Sequence, residues 1–305
     1  MKLTPEDPIS FQSKKLAVLV VAYCRSDKLR QILNGLIAQE RKVYVVIDRA
    51  PDNLISENNE VISCAESFRK SLDLTIKVNE KSVGVKLGVP RAIDFALSLE
   101  EACIIIEDDC IINVNALHYF DAMINHLGDS IALVSGDSPW EEFEVTETRI
   151  SSFPLIWGWA TSRSQWGKLK IFIDGDIPWA QAGKRVVLNP SLLPSIGYFL
   201  AAQIRVRRGK LQAWDCSVAL SMLLQNLKAI IPNVGIVINT GSDLYAHHTF
   251  NSKTTYRDFD FSRYPASELS MNKLLAQETD LAIRKRIYGM KWIHCLSPLK
   301  ALFKD

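Results

Sequence analysis

The sequence predicts an α/β protein with a mainly parallel, doubly wound sheet flanked by helices. Two observations carry that expectation. Apolar, β-rich runs alternate with stretches of helical periodicity through residue 135. The strand-like runs are also continuously apolar, as strands covered by helices on both faces must be. Strand-helix repeats of this length imply right-handed crossovers between parallel strands.

The elements follow in order. LAVLVVAY (16–23) reads as the first strand. Ser26 is placed to cap the next segment, where Leu29, Ile32, Leu33 and Leu36 fall at helical spacing. VYVVID (43–48) is a second strand, residues 54–70 a helix, and LTIKV (74–78) a third strand. A glycine-bearing loop, KSVGVKLGVP (81–90), leads into a helix through Ala92, Phe95, Ala96 and Leu99. CIIIE (103–107) is the fourth strand, and the helix after Asn113 carries Leu117, Phe120, Met123 and Leu127. IALVS (131–135) closes the series. Beyond residue 137 the rhythm changes. Aromatics concentrate in FPLIWGWA (153–160), prolines and glycines punctuate residues 174–197, and a helix-like segment lies around 214–227. AIIPNVGIVI (229–238) then leads into GSDLYAHHTF. The second half reads as an extension packed on the first, with no repeats.

Composition narrows the function. A chain of 305 residues, 48% hydrophobic, can bury a sizeable core. A net charge of +2 argues against a dedicated nucleic-acid binder. No apolar stretch approaches the roughly 20 residues that span a bilayer, and MKLTPEDPISFQSKK has no apolar signal core. The six cysteines form no C-x-x-C pair, which disfavours zinc-ribbon and redox chemistry. They read as reduced thiols of a cytoplasmic protein.

The chemistry concentrates at CIIIEDDCII (103–112). In an open parallel sheet, ligands bind outside the carboxyl ends of the strands. Glu107, Asp108 and Asp109 sit where the fourth strand ends. Three adjacent carboxylates repel one another unless some protonate or a cation sits among them. Hard oxygen ligands suit Mg²⁺ or Mn²⁺, which prefer one or two carboxylates together with phosphate oxygens and water. The plainer alternative is an acidic cluster at the N-terminus of the next helix.

The form IIIEDDCIINVNALHYF resembles the acidic "DXD" element of GT-A-fold, nucleotide-sugar-dependent glycosyltransferases, above all the EDD version of the N-acetylglucosaminyltransferase I family and its bacterial relatives. Other stretches fall in the same order. VVAYCRS (20–26) resembles that family's first strand, and VVID (45–48) its second, ending in an acidic residue that holds the nucleobase. FPLIWGWA resembles its acceptor-side aromatic segment. WDCSVAL (214–220) resembles the Trp-Asp segment with the catalytic base, and GSDLYAHHTF the late His-bearing loop over the diphosphate. The similarity covers roughly residues 16 to 250.

The resemblance implies a Rossmann-like nucleotide-sugar-binding half (1–137), an acceptor-side half of the same domain (138–262) and a C-terminal helical tail (263–305). It implies that Asp109 ligates Mn²⁺ or Mg²⁺. Asp108 would lie near the ribose or metal-bound water, and Glu107 near the donor sugar. Ala22, Arg25 and Asp48 would help hold the nucleotide, and Asp215 would be the general base. His247 or His248, with His248 preferred, would contact metal or phosphate. One departure is Cys216, where the family often has a second acidic residue. If the base is the second member of that pair, Asp215 is misassigned.

Each residue has a plainer reading beside this one. Asp215 can cap a helix, Asp48 can simply end a strand, and Arg25 can pair with Asp27. Arg91 follows Gly84 and Gly88 and is either a phosphate ligand or a solvated arginine. Trp159 is either a wall for donor or acceptor, since tryptophan stacks on sugars, or core like Trp157. RKRIYGMKWIHCLSPLKALFK (284–304) mixes basic and apolar residues. It suits peripheral contact with an anionic membrane, or a final docked helix, with Pro298 breaking any single long one. The expected activity is a metal-dependent, inverting transfer from a nucleoside diphosphate sugar to a glycan or lipid-linked acceptor, in bacterial surface polysaccharide synthesis on the cytoplasmic side. The alternatives are a non-catalytic nucleotide- or sugar-binding homologue and a nucleotidyltransferase. The glycine-free AYCRSDKL after the first strand counts against the latter.

Overall fold

The structure, a computed structural model, describes residues 15–114, 117–140, 148–240 and 273–303. Four parallel strands, β1 (Ala17–Ala22), β2 (Lys42–Ile47), β3 (Asp73–Val78) and β4 (Ala102–Glu107), form one side of an eight-stranded sheet. Beyond them come β6 (Ile131–Ser135), β7 (Arg149–Ser151), β8 (Trp159–Ser162) and β9 (Lys228–Ile231). The full order is β3-β2-β1-β4-β8-β6-β9-β7. β8 runs antiparallel between β4 and β6, and β7 antiparallel to β9. The other strands share one direction, so the expected mainly parallel α/β sheet is present. The later part of the chain is woven into that sheet by β7, β8 and β9.

Alternation along each strand feeds two cores. In β1, Val18, Val20 and Ala22 pack under α1 (Ser26–Leu36), α2 (Ile55–Ser67) and α4 (Leu117–Met123). Ala17 and Leu19 face the opposite layer, where α3 (Gly84–Leu99), α5 (Arg163–Leu169) and α8 (Asp215–Gln225) lie. The buried stripe Leu29, Ile32, Leu33 and Leu36 bears out the periodicity of α1. Ser26, however, is the first helical residue, with Arg25 at the N-cap position, and its hydroxyl lies 3.5 Å from Glu60.

Three other segments differ from expectation for identifiable reasons. Residues 84–90 are already helical, with Pro90 inside α3. The helix starts early because the Asp48 carboxylate accepts from the N–H groups of Val83 and Gly84 at its N-terminus. Gly84 has φ +70°, which favours glycine. The run 229–238 divides at Pro232, which cannot donate to a ladder. Its second part, β10 (Val237–Asn239), leaves the main sheet and pairs with β5 (Cys110–Ile112). Residues 174–210 hold two helices, α6 (Trp179–Leu188) and α7 (Leu193–Arg207). Pro194 is tolerated in the first turn of α7. Gly197 is required because a Cβ there would meet the His294 carbonyl at 2.4 Å.

The tail folds as α9 (Lys273–Arg286), a 3₁₀ turn (Trp292–Leu296) and α10 (Ser297–Phe303). The segment is not one long helix, but the interruption falls at residues 287–291, around Gly289 at φ +56°, while Pro298 sits in the first turn of α10. Asp280 anchors α9 by accepting from the Ser151 hydroxyl and from the N–H and hydroxyl of Ser152. Among the described residues no helix is long and apolar enough to cross a membrane.

Candidate active site

The parallel strands β1, β4 and β6 release their following residues at the same sheet edge. Tyr23 to Arg25, Glu107 to Asp109, and Gly136 with Asp137 therefore gather there. The β5–β10 ribbon crosses this edge closely. A Cβ on Gly136 would lie 2.5 Å from the Gly158 carbonyl and 2.7 Å from Val237. Gly158, at φ +59°, would meet Val237 at 2.5 Å. The glycine between Trp157 and Trp159 thus serves chain crossing.

The acidic triplet divides into three environments. Asp108 is buried, and its carboxylate accepts from the Tyr23 N–H at 2.9 Å and from the Arg25 guanidinium at 2.7 Å. Burial raises its proton affinity and Arg25 opposes that, leaving it at about 6. Both oxygens hold the β1–α1 turn, so the place expected for Asp108 beside the ribose or metal-bound water is corrected to an internal anchor. Asp109 lies on the rim with its side chain 21% exposed and its carboxylate 3.9 Å from Arg25. Its carbonyl accepts from the N–H and the hydroxyl of Thr240, at 2.7 and 3.0 Å. Glu107 is pushed up to about 8, first by burial, then by Asp109, Asp108 and Asp215, with Arg25 opposing.

That effect of Asp215 places it in the same neighbourhood as the triplet. Asp215 is exposed at the first position of α8, and its Oδ1 accepts from the Cys216 N–H at 2.9 Å. Its charge also bears on Tyr198 and Tyr288. Cys216 turns inward instead. It is buried beside Gln203, with its thiol raised to about 12. A thiol so held is no base, so a base belonging to the second member of the pair would be missing here.

The other expected site residues differ in their surroundings. Trp159 is buried in the core, stacked on Trp214 at 6.1 Å and packed by Trp166, so it offers no sugar-binding wall. Its strand position turns it inward, while Trp157 remains half-buried. Ala22 is also core, and its carbonyl accepts from the Asp48 N–H. Asp48 accepts from Asn79, Ser82, Val83 and Gly84, which fill its acceptor positions. In this arrangement it organises the loop before α3. Arg91 is exposed on α3, about 10 Å along the axis from the helix start at 1.5 Å per residue, too far down to serve that N-terminus. His247 and His248 lie outside the described residues.

Sequence reasoning passed over Asp137, although it follows β6 just as the triplet follows β4. Its carboxylate is buried and accepts from the Ser138 N–H at 2.7 Å. Burial raises it to about 7. Because the folded value exceeds the ordinary 3.8, this group's stabilising contribution is fully present below pH 3.8 and is lost as pH rises through about 7. Asp137→Asn is therefore expected to match wild type in thermal melts near pH 4 and to be more stable by a few degrees near pH 8. Equal melting curves at both pH values would show that Asp137 ionises freely. Tyr198 and Tyr288 also escaped notice, since no local motif marks them. Tyr288 feels both Asp215 and Asp137, and its hydroxyl donates to the Pro154 carbonyl.

Among the described residues, no three His, Cys, Asp or Glu side chains converge as a metal cage. The rim offers an ion one hard carboxylate, Asp109, beside Glu107, whose proton affinity is raised by burial first and by the neighbouring carboxylates second. That donor set fits a cation that completes its shell with phosphate oxygens and water. Two concavities lie away from this edge. One of about 600 Å³ is lined by Lys42, Asp73 and Glu100 at the amino ends of the strands, and one of about 580 Å³ by Ser26, Arg30 and Glu60 on α1 and α2. No protein-family model matches the chain, and no curated protein matches it significantly.

Proposed function

We propose that the protein is a metal-dependent, inverting glycosyltransferase of the GT-A type, transferring a sugar from a nucleoside diphosphate sugar to a hydroxyl of a glycan or lipid-linked acceptor. One observation carries the reading. Asp215, distant in sequence, comes close enough for its charge to bear on Glu107, which ends β4 at the carboxyl edge of a mainly parallel sheet. Ligands of open α/β sheets bind at that edge.

Each residue then has a definable task. Asp109 would hold Mn²⁺ or Mg²⁺ together with the donor diphosphate. The bound ion would act as a Lewis acid that neutralises the leaving group. Asp215 accepts the acceptor hydroxyl's proton as the new bond from that oxygen to the anomeric carbon forms. The bond from that carbon to the diphosphate oxygen breaks in the same displacement, and its electron pair leaves with the diphosphate. A single displacement inverts the anomeric centre. Glu107, at the end of β4, would face the donor sugar. Arg25 neutralises Asp108 and holds the turn on which Asp109 stands.

The test is a thermal-shift series of nucleoside diphosphates with and without Mn²⁺. One diphosphate at about 100 times its Kd should stabilise the protein by about 2.7 kcal/mol. That shift should require metal and disappear in Asp109→Ala. If no diphosphate shifts the melt with either ion, the reading is wrong.

A further inference from the structure

The end of the chain carries an amphipathic pattern turned inside out. Pro298 and Ala301, three residues apart, face α7 and are buried. Arg208 fastens this packing by donating to the carbonyls of Ala301 and Leu302 at 2.9 and 2.8 Å. The four large aliphatics of the same segment point outward. Ile293, Leu296, Leu299 and Leu302 are 58, 55, 56 and 36% exposed. Residues three apart align in a 3₁₀ turn and share a face in an α-helix. The four therefore make one continuous stripe along the 3₁₀ turn and α10.

Cations outnumber anions around the stripe. Residues 284–303 contain five lysines and arginines and no Asp or Glu. α7 beneath them carries Arg205 and Arg207 in its last turn, with the exposed Asp176 4.0 Å from Arg207. Lys291 and Lys300 are exposed beside the stripe, and Arg205 and Arg207 are exposed on α7. The whole chain is only +2, so the basic charge is concentrated here. A protein partner would be expected to meet a mixed surface. An aliphatic ridge set mainly among cations matches a layer that is anionic at its surface and apolar beneath.

We propose that this face docks on an anionic lipid bilayer, with the Ile293–Leu302 stripe entering the headgroup region and the surrounding lysines and arginines meeting lipid phosphates. The inference stands on the surface alone. Where it joins the transferase reading, and resting on that reading, it places a lipid-linked acceptor near the base. His294, beside the stripe, packs edge-on against Tyr198 at 5.2 Å, and Tyr198 lies within the field of Asp215.

The full-length protein is sedimented with vesicles of phosphatidylcholine alone and with about 30% phosphatidylglycerol. Wild type should bind the anionic vesicles at least about tenfold better, and raised salt should weaken that binding. Leu296→Gln/Leu299→Gln and, separately, Lys291→Glu/Lys300→Glu should each reduce it at least about tenfold. Both pairs are exposed, so the melting temperature should stay within a few degrees of wild type. Failure of wild type to bind anionic vesicles overturns the proposal, as does unchanged binding by both variants. A concentration-dependent dimer dispersed by Leu296→Gln/Leu299→Gln overturns it in favour of self-association. Vesicle binding is read without turnover, so it can fail while metal-dependent diphosphate binding succeeds, and the reverse.

Discussion

Asp215→Asn is expected to lower the transfer rate by about 10²- to 10⁴-fold while leaving affinity for the nucleoside diphosphate unchanged. The substitution keeps size and keeps an oxygen to accept from the Cys216 N–H at the start of α8. It removes only the capacity to take a proton. Loss of kcat with intact diphosphate binding separates a catalyst from a protein that merely binds the nucleotide. It also separates catalysis from helix capping, because loss of a cap would lower the melting temperature by a cost of about 1 kcal/mol, and the amide preserves the cap. Wild-type turnover in the variant would move the base elsewhere, with Asp137 the next carboxylate at that edge. The thiol of Cys216 is not a candidate, held neutral in the core with its pKa pushed up to about 12.

The largest effect on stability is expected from Arg25→Met. Arg25 and Asp108 form a buried pair, with side chains 10 and 5% exposed. Breaking such a pair from one side leaves a charge without compensation and costs about 3–5 kcal/mol. The melting temperature should fall by roughly 10 °C at neutral pH. Arg25 is also what restrains the proton affinity of Asp108. Without it Asp108 takes a proton more readily, so the deficit should shrink as pH is lowered towards 5. Pairing the change with Asp108→Asn should restore part of the loss, because no orphaned charge then remains. Additive losses in the double variant would show that the two side chains are independent.

What was legible in the sequence follows from how local each determinant is. β1 and β4 could be read because burial on both faces leaves a continuous apolar run. The acidic triplet could be read because strand polarity alone places it at the ligand edge. The early start of α3 could not, since it depends on Asp48 reaching from the end of β2. α7 was illegible for a different reason. It is covered on several sides, so its buried residues run from Pro194 through Val206 without a stripe. Trp159 was misplaced because an aromatic cluster does not announce which face its strand turns inward. Asp108 was misplaced because adjacent carboxylates look alike until one meets Arg25.

The insertion of β8 also constrains how the chain reaches this state. β6 touches the sheet only through β8 and β9, both of which are made later than it. During synthesis β4 must therefore wait, with one flank open, until residues 159–162 emerge. An open flank on an apolar strand is a template for pairing with a neighbouring molecule. A chain terminated at residue 137 would keep that flank permanently and is a candidate for self-association rather than for an autonomous module.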